Sequence, residues 1–104
     1  MATAEYSVKV GAAGTGTITV RTPSIRSWTV AKVTMEIASP GTAPSGATAD
    51  IRKNGYLVSL MIPNGDVAAG EPYELLRNTD TLTLNWYGCT QNTIGKAMVY
   101  YTET

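Results

Sequence analysis

Apolar residues recur at every second position along most of this chain. The alternation is clearest in five segments, 6–10, 17–21, 28–37, 81–86 and 97–101. Successive side chains of a β-strand point to opposite faces, so a period of two predicts strands with one buried face. A helix would instead need apolar residues every three or four positions. The pattern therefore predicts an all-β chain.

Turn signals separate these alternating segments. The strongest is Asn54-Gly55, because a type I′ hairpin turn needs positive φ at two successive residues and Asn and Gly tolerate it best. Other breaks occur at 11–14, 22–24 and 39–46. About eight short strands result, which is typical of an antiparallel two-sheet β-sandwich. We expect a jelly-roll-like sandwich, with an immunoglobulin-like sandwich as the alternative.

Length and composition indicate one domain. The chain has 104 residues, enough for a single hydrophobic core, and only 15% of them are charged against roughly 25% in soluble domains generally. Its 16 threonines are β-branched and polar, which suits the outer face of a strand. We expect a single β-sandwich domain over residues 1–104, with residues 1–5 forming a flexible N-terminal arm.

The charge pattern argues against nucleic acid as a partner, and the short apolar stretches argue against a membrane. Eight basic and eight acidic residues give a net charge of zero, and Arg52-Lys53 is the one pair of adjacent basic residues. Binding to nucleic acid normally needs a basic patch that neutralises phosphates. The longest apolar stretch, around 57–62, is far too short to cross a bilayer as a helix.

The residue types used for catalysis are scarce. Histidine is absent, and Cys89 has neither a histidine to activate it nor a second cysteine to pair with. Glu71, Glu74 and Asp66 are the carboxylates closest in sequence, but a solvated loop explains them as well. Asn64 and Asp66 offer at most two oxygen ligands to a metal. We expect no enzymatic activity, no cofactor and no metal site.

Two tryptophans and six tyrosines are candidates for surface contacts, because each has an apolar body and a polar tip. Trp86 is in phase with the leucines of 82–86 and is expected in the core. Trp28 is in phase with Lys32 and Glu36, which makes it either an exposed contact or part of a second covered face. The predicted surface contacts are Trp28, Tyr56, Tyr87 and Tyr100.

The second half of the chain resembles a known group of proteins. It reads Ala-Asp-Ile-Arg-Lys-Asn-Gly at 49–55, Ile-Pro-Asn-Gly-Asp at 62–66, Asp-Thr-Leu-Thr-Leu-Asn-Trp-Tyr-Gly-Cys-Thr at 80–90 and Gly-Lys-Ala-Met-Val-Tyr-Tyr at 95–101. These turn and strand patterns are similar to those of the small β-sandwich virion proteins of tailed bacteriophages, in particular those that decorate the capsid exterior.

This resemblance implies a non-enzymatic structural virion protein that binds the outer surface of the assembled head. Its partners would be the major capsid protein and copies of itself, as a trimer or at symmetric capsid positions. It would be synthesised in the host bacterial cytoplasm without a signal peptide and located on the capsid surface. The alternative is a carbohydrate- or receptor-binding module of a phage tail or fibre, which would use the exposed aromatic residues.

Overall fold

The computed structural model describes residues 2–23, 25–38, 48–61, 68–70, 74–89 and 91–103. These residues form nine strands: β1 (Ala2–Lys9), β2 (Gly16–Val20), β3 (Trp28–Ala38), β4 (Thr48–Lys53), β5 (Tyr56–Met61), β6 (Ala68–Gly70), β7 (Glu74–Leu76), β8 (Leu82–Tyr87) and β9 (Ile94–Glu103). Within those ranges, no helix has the length and apolar character needed to cross a membrane.

The strands form two antiparallel sheets. The first has the order β1-β9-β3-β6, and the second has the order β2-β8-β4-β5. β7 also pairs with β3, further along the same side as β6, so β6 and β7 share one strand position. The strands pair in a nested way: β1 with β9, β2 with β8, β3 with β6 and β7, and β4 with β5. The predicted two-sheet antiparallel sandwich is confirmed.

The hydrophobic core lies between the inner faces of the two sheets. Trp86, expected in the core from its phase, is fully buried, and the nearby Cys89 is 8% exposed. The largest of the other fully buried side chains are Met35, Ile51, Leu76, Leu82 and Leu84. These residues come from β3, β4, β7 and β8, so the core joins the two sheets without a disulfide bond.

A β-bulge in β3 reverses the predicted phase of its first residues. The register with β9 shifts between Val30 and Lys32, which leaves Ala31 as an extra residue. One extra residue moves all side chains on one side of it to the opposite face. Trp28 and Val30 therefore point into the core with Val33, and the prediction that Trp28 shares the outer face with Lys32 is wrong.

The predicted N-terminal arm is a strand over its described residues. Residues 2–5 form the first half of β1, and each is paired with β9, from Ala2 opposite Tyr101 to Glu5 opposite Met98. Ala4 also packs against the core. The arm expected at 1–5 is thus corrected to a sheet-edge strand from residue 2 onward.

The Asn54-Gly55 hairpin is confirmed. Both residues have positive φ, 52° and 87°, as a type I′ turn requires. The Asn54 side chain donates to Asp80 Oδ1 at 3.0 Å and accepts a hydrogen bond from the Thr81 backbone N–H at 3.0 Å. Asp80 in turn accepts a hydrogen bond from the Arg77 N–H. The β4–β5 turn is therefore held against the turn that precedes β8.

Candidate functional site

β5 is an edge strand that exposes apolar side chains. Tyr56, Leu57 and Leu60 are 80%, 55% and 65% exposed, and they are half of the large apolar residues exposed in the described part of the chain. The strand reads Tyr-Leu-Val-Ser-Leu-Met and carries no charge. Edge strands of soluble proteins usually carry charged residues or proline, which discourage pairing with other chains. The exposed apolar edge is therefore a candidate contact surface.

A second β-bulge brings the two exposed leucines to one face. In the register between β4 and β5, Arg52 lies opposite Leu57 and Ile51 lies opposite Ser59, so Val58 is the extra residue. Leu60 lies opposite Asp50. Residues opposite each other share a face of the sheet. Both leucines therefore stand on the outward face beside charged residues of β4, while Val58 packs against the core.

A chain of hydrogen bonds runs across three strands on this outward face. Thr17 Oγ1 donates to Asn85 Oδ1 at 2.9 Å, and Asn85 Nδ2 donates to Asp50 Oδ1 at 2.7 Å. Arg52 Nε donates to the other carboxylate oxygen of Asp50 at 3.1 Å. Asp50 is only 3% exposed and Asn85 8%. A buried carboxylate is stable only when it is paired in this way, so the network holds the face in one arrangement.

Arg52 is the charged group of this surface that stays accessible. Its pKa is raised from the usual value, first by the hydrogen bond to Asp50 and then by the carboxylate charge, with a smaller contribution from Tyr87. Arg52 Nη1 also donates to the Gly55 carbonyl oxygen at 3.3 Å. The guanidinium is thus charged and fixed in position. We call the surface formed by Asp50, Arg52, Leu57, Leu60 and Tyr87 the β4–β5 face.

Trp28 is not an exposed contact. Its side chain is 6% exposed, and its ring stacks on Tyr101 with centroids 3.7 Å apart and an interplanar angle of 13°. The indole Nε1 donates to Glu103 Oε1 at 3.2 Å. The bulge at Ala31 explains the difference from the sequence prediction, because it turns Trp28 toward the core.

The other three predicted contacts lie at separate places. Tyr87, on β8, belongs to the β4–β5 face and is 37% exposed, and Tyr56 lies at the start of β5, two strands away. Tyr100 is on the outer face of the other sheet, opposite Lys32, whose Nζ lies 5.5 Å from the Tyr100 ring centroid. The structure therefore brings Tyr56 and Tyr87 to the same sheet but does not join all four residues in one patch.

The outer face of the first sheet is polar by comparison. A shallow depression of about 510 Å³ lies there, lined by residues of β1, β3 and β9 that include Glu5, Glu36, Lys96 and Met98. Lys96 stands opposite Glu36 in the register. Charges of both signs and short polar side chains make this face suited to water rather than to an apolar partner.

The groups considered for catalysis do not form a site in the described residues. Burial raises the pKa of the Cys89 thiol, which donates a hydrogen bond to the Tyr87 carbonyl oxygen at 3.5 Å. The structure describes the backbone of Glu74, in β7, but not its side chain. Asn64, Asp66 and Glu71 lie outside the described residues. Within the described ranges, no three His, Cys, Asp or Glu residues are grouped as metal ligands.

Tyr87 is the one residue of the β4–β5 face that the sequence prediction included among the surface contacts. Leu57 and Leu60 belong to the short apolar run at 57–62, which predicts the second strand of the Asn54-Gly55 hairpin but not an exposed surface. The Asn54-Gly55 turn carries the missing signal, because a type I′ hairpin sets Lys53 opposite Tyr56 and Arg52 opposite Leu57. An apolar residue opposite an arginine indicates a mixed, solvent-facing surface.

No protein-family model matches this chain, and no curated protein sequence matches it.

Proposed function

We propose that this protein is a non-enzymatic structural virion protein, a phage capsid decoration protein that binds the outer surface of the assembled head. The observation that carries this proposal is the β4–β5 face, where Leu57 and Leu60 are more than half exposed on a hydrogen-bonded sheet. Exposed apolar residues bordered by polar ones mark surfaces that contact other proteins. The sequence resemblance to phage virion proteins supplies the kind of partner.

The β4–β5 face is suited to binding without rearrangement. Its polar base is internally hydrogen-bonded through Asp50 and Asn85, so these groups need no partner from a bound protein. The leucines, Tyr87 and the Arg52 guanidinium remain available for contact. Tyrosine and arginine are enriched in protein interfaces, and a fixed surface loses little conformational entropy on binding.

We further infer that the sandwich is a jelly roll. The nested pairing of β1 with β9, β2 with β8, β3 with β6 and β7, and β4 with β5 supports this topology, because a jelly roll pairs its first strands with its last. Jelly rolls build viral capsid domains and also lectins, so the topology agrees with the proposed function by analogy only.

A carbohydrate- or receptor-binding module of a phage tail or fibre is the second candidate. The exposure of Tyr56 and Tyr87 favours it, because aromatic rings on a β-sandwich surface can stack on sugars. The buried position of Trp28 removes the aromatic residue that best suited this role.

Co-sedimentation with expanded phage heads that lack the protein tests the main proposal. We expect wild-type protein to bind the heads saturably and to remain bound after washing. Leu57→Lys/Leu60→Lys, which we call the edge variant, should bind at least about tenfold more weakly, because two charges enter the apolar surface. Thr19→Lys adds a charge at an exposed position of β2, the other edge of the same sheet, and should bind like wild type. If the wild-type protein does not bind the heads saturably, the proposal is contradicted.

A further inference from the structure

We propose that β5 pairs with β5 of a second copy of this chain, antiparallel and about a two-fold axis, so that the two four-stranded sheets join into one. This inference names a partner for the β4–β5 face and does not require that the protein binds phage heads. It rests on three features of β5: its open edge, its side-chain register and the charges that flank it.

The edge of β5 away from β4 offers backbone groups for pairing. Among the described strands, β5 forms ladder hydrogen bonds with β4 alone. Every second residue on the open side of such an edge presents an N–H and a C=O outward. β1, an edge strand of the first sheet, carries the exposed charges of Glu5 and Lys9. β5 has no charged residue and no proline, and the bulge at Val58 is the one interruption of its regular backbone alternation.

The residue order in β5 is self-complementary when two copies run antiparallel. In the register centred between Val58 and Ser59, Val58 of one copy lies opposite Ser59 of the other. Leu57 then lies opposite Leu60 of the second copy, and the symmetry repeats this contact. The bulge at Val58 has already placed both leucines on the outward face, so four leucines meet on one side of the joined sheet.

Flanking charges do not oppose pairing in the same register. Leu60 lies beside Asp50 within one chain, and Leu57 lies beside Arg52. A row across the joined sheet therefore reads Asp50, Leu60, Leu57 of the second copy and Arg52 of the second copy. The second row is its symmetric equivalent. Each row has one acidic and one basic end, and no like charges face each other across the new interface.

This arrangement closes as a dimer. Pairing of one edge strand with its own copy is isologous, so the contact uses each open β5 edge once and cannot continue into a fibre through the same strand. The resemblance to phage decoration proteins implies a trimer or other symmetric arrangement instead. The stoichiometry in solution therefore distinguishes edge pairing from that expectation.

Sedimentation equilibrium in the absence of phage heads provides the first test. We expect wild type to sediment at twice the chain mass and the edge variant to weaken the dimer by more than about tenfold, because four lysines would meet at the seam. Thr19→Lys should remain dimeric. A monomer at the highest soluble concentration, a trimer, or a dimer unaffected by the edge variant would each overturn the proposal. If the edge variant is unfolded by circular dichroism, the crosslink below decides.

A designed crosslink tests the register itself. In a Cys89→Ala background, Leu57→Cys/Leu60→Cys should form a covalent dimer on mild oxidation, because opposed positions on antiparallel strands satisfy disulfide geometry. Leu57→Cys alone should not form this crosslink, because position 57 of one chain would lie roughly 10 Å from position 57 of the other along the paired strands. Equal crosslinking of the two variants, or none in the paired one, would exclude this register.

The two proposals fail separately. A monomeric wild type that binds heads, together with an edge variant that does not, would assign the β4–β5 face to the shell protein and reject the dimer. A dimer that never binds heads would keep the β5 pairing and reject the proposed function.

Discussion

Trp28 stacks face to face on Tyr101, with ring centroids 3.7 Å apart and 13° between the ring planes. The pair joins β3 to β9 at the end of the first sheet, where the indole N–H also reaches Glu103. Trp28 therefore covers one end of the core and is not part of a binding surface.

Truncation of Trp28 should therefore be costly. We expect Trp28→Ala to lower the free energy of unfolding by about 3–5 kcal/mol, because it removes a buried aromatic ring and leaves a cavity. Trp28→Phe keeps a ring that can stack on Tyr101 and should lower the free energy of unfolding by less. Urea unfolding followed by circular dichroism measures both. A loss below about 1 kcal/mol for the alanine variant would mean that the ring is not buried as described.

Gly95 is required by its contact with Trp86. A Cβ atom at this position would lie 2.9 Å from two ring atoms of the fully buried indole. We expect Gly95→Ala to destabilise the protein by about 1–3 kcal/mol through overpacking. Gly11→Ala is the matched control, because a Cβ there meets nothing within 4 Å. Thermal melts that shift equally for the two variants would contradict this account of the core.

Asp80 should give the protein an acid-sensitive contribution to stability. Hydrogen bonds from the Asn54 side chain and the Arg77 backbone hold the pKa of this carboxyl below its ordinary value of 3.8. Its contribution is therefore present above that value and is lost as the pH falls through the lower folded pKa. The stability difference between wild type and Asp80→Ala should be constant near neutral pH and shrink below pH 3.8. If the stability difference between wild type and Asp80→Ala does not change with pH, Asp80 does not make this acid-sensitive contribution.

Ile25 is a strained residue on the surface. Its φ is 60° and its side chain is 85% exposed, although β-branched residues strongly disfavour the left-handed region. Ile25→Asn should raise the free energy of unfolding by about 1 kcal/mol, since Asn tolerates this backbone conformation. Ile25→Val keeps the branch and should stay near wild type. Destabilisation by asparagine in differential scanning calorimetry would show that the isoleucine side chain has a packing role.

The sequence was sufficient where the deciding signal is local. Alternation identified β1, β2, β3, β8 and β9, and Asn54-Gly55 identified a hairpin that depends on two successive backbone angles. It failed at the two bulges, because an extra residue such as Ala31 or Val58 leaves no mark in the apolar pattern and yet changes which face the neighbouring residues occupy.

The contact surface could not be predicted because it depends on strand order. Asp50, Asn85 and Thr17 are far apart in the chain and become one hydrogen-bonded row only when β8 lies between β2 and β4. Likewise, residues 2–5 are polar enough to suggest an arm, and only the pairing with β9 makes them a strand.

Peptide mass spectrometry of purified virions, with copy number measured relative to the major capsid protein, tests the central claim most directly. The proposed head-decoration function predicts a copy number comparable to that of the capsid protein. A handful of copies per virion would favour the tail or fibre module instead. Absence of the protein from washed virions would contradict a structural role on the capsid.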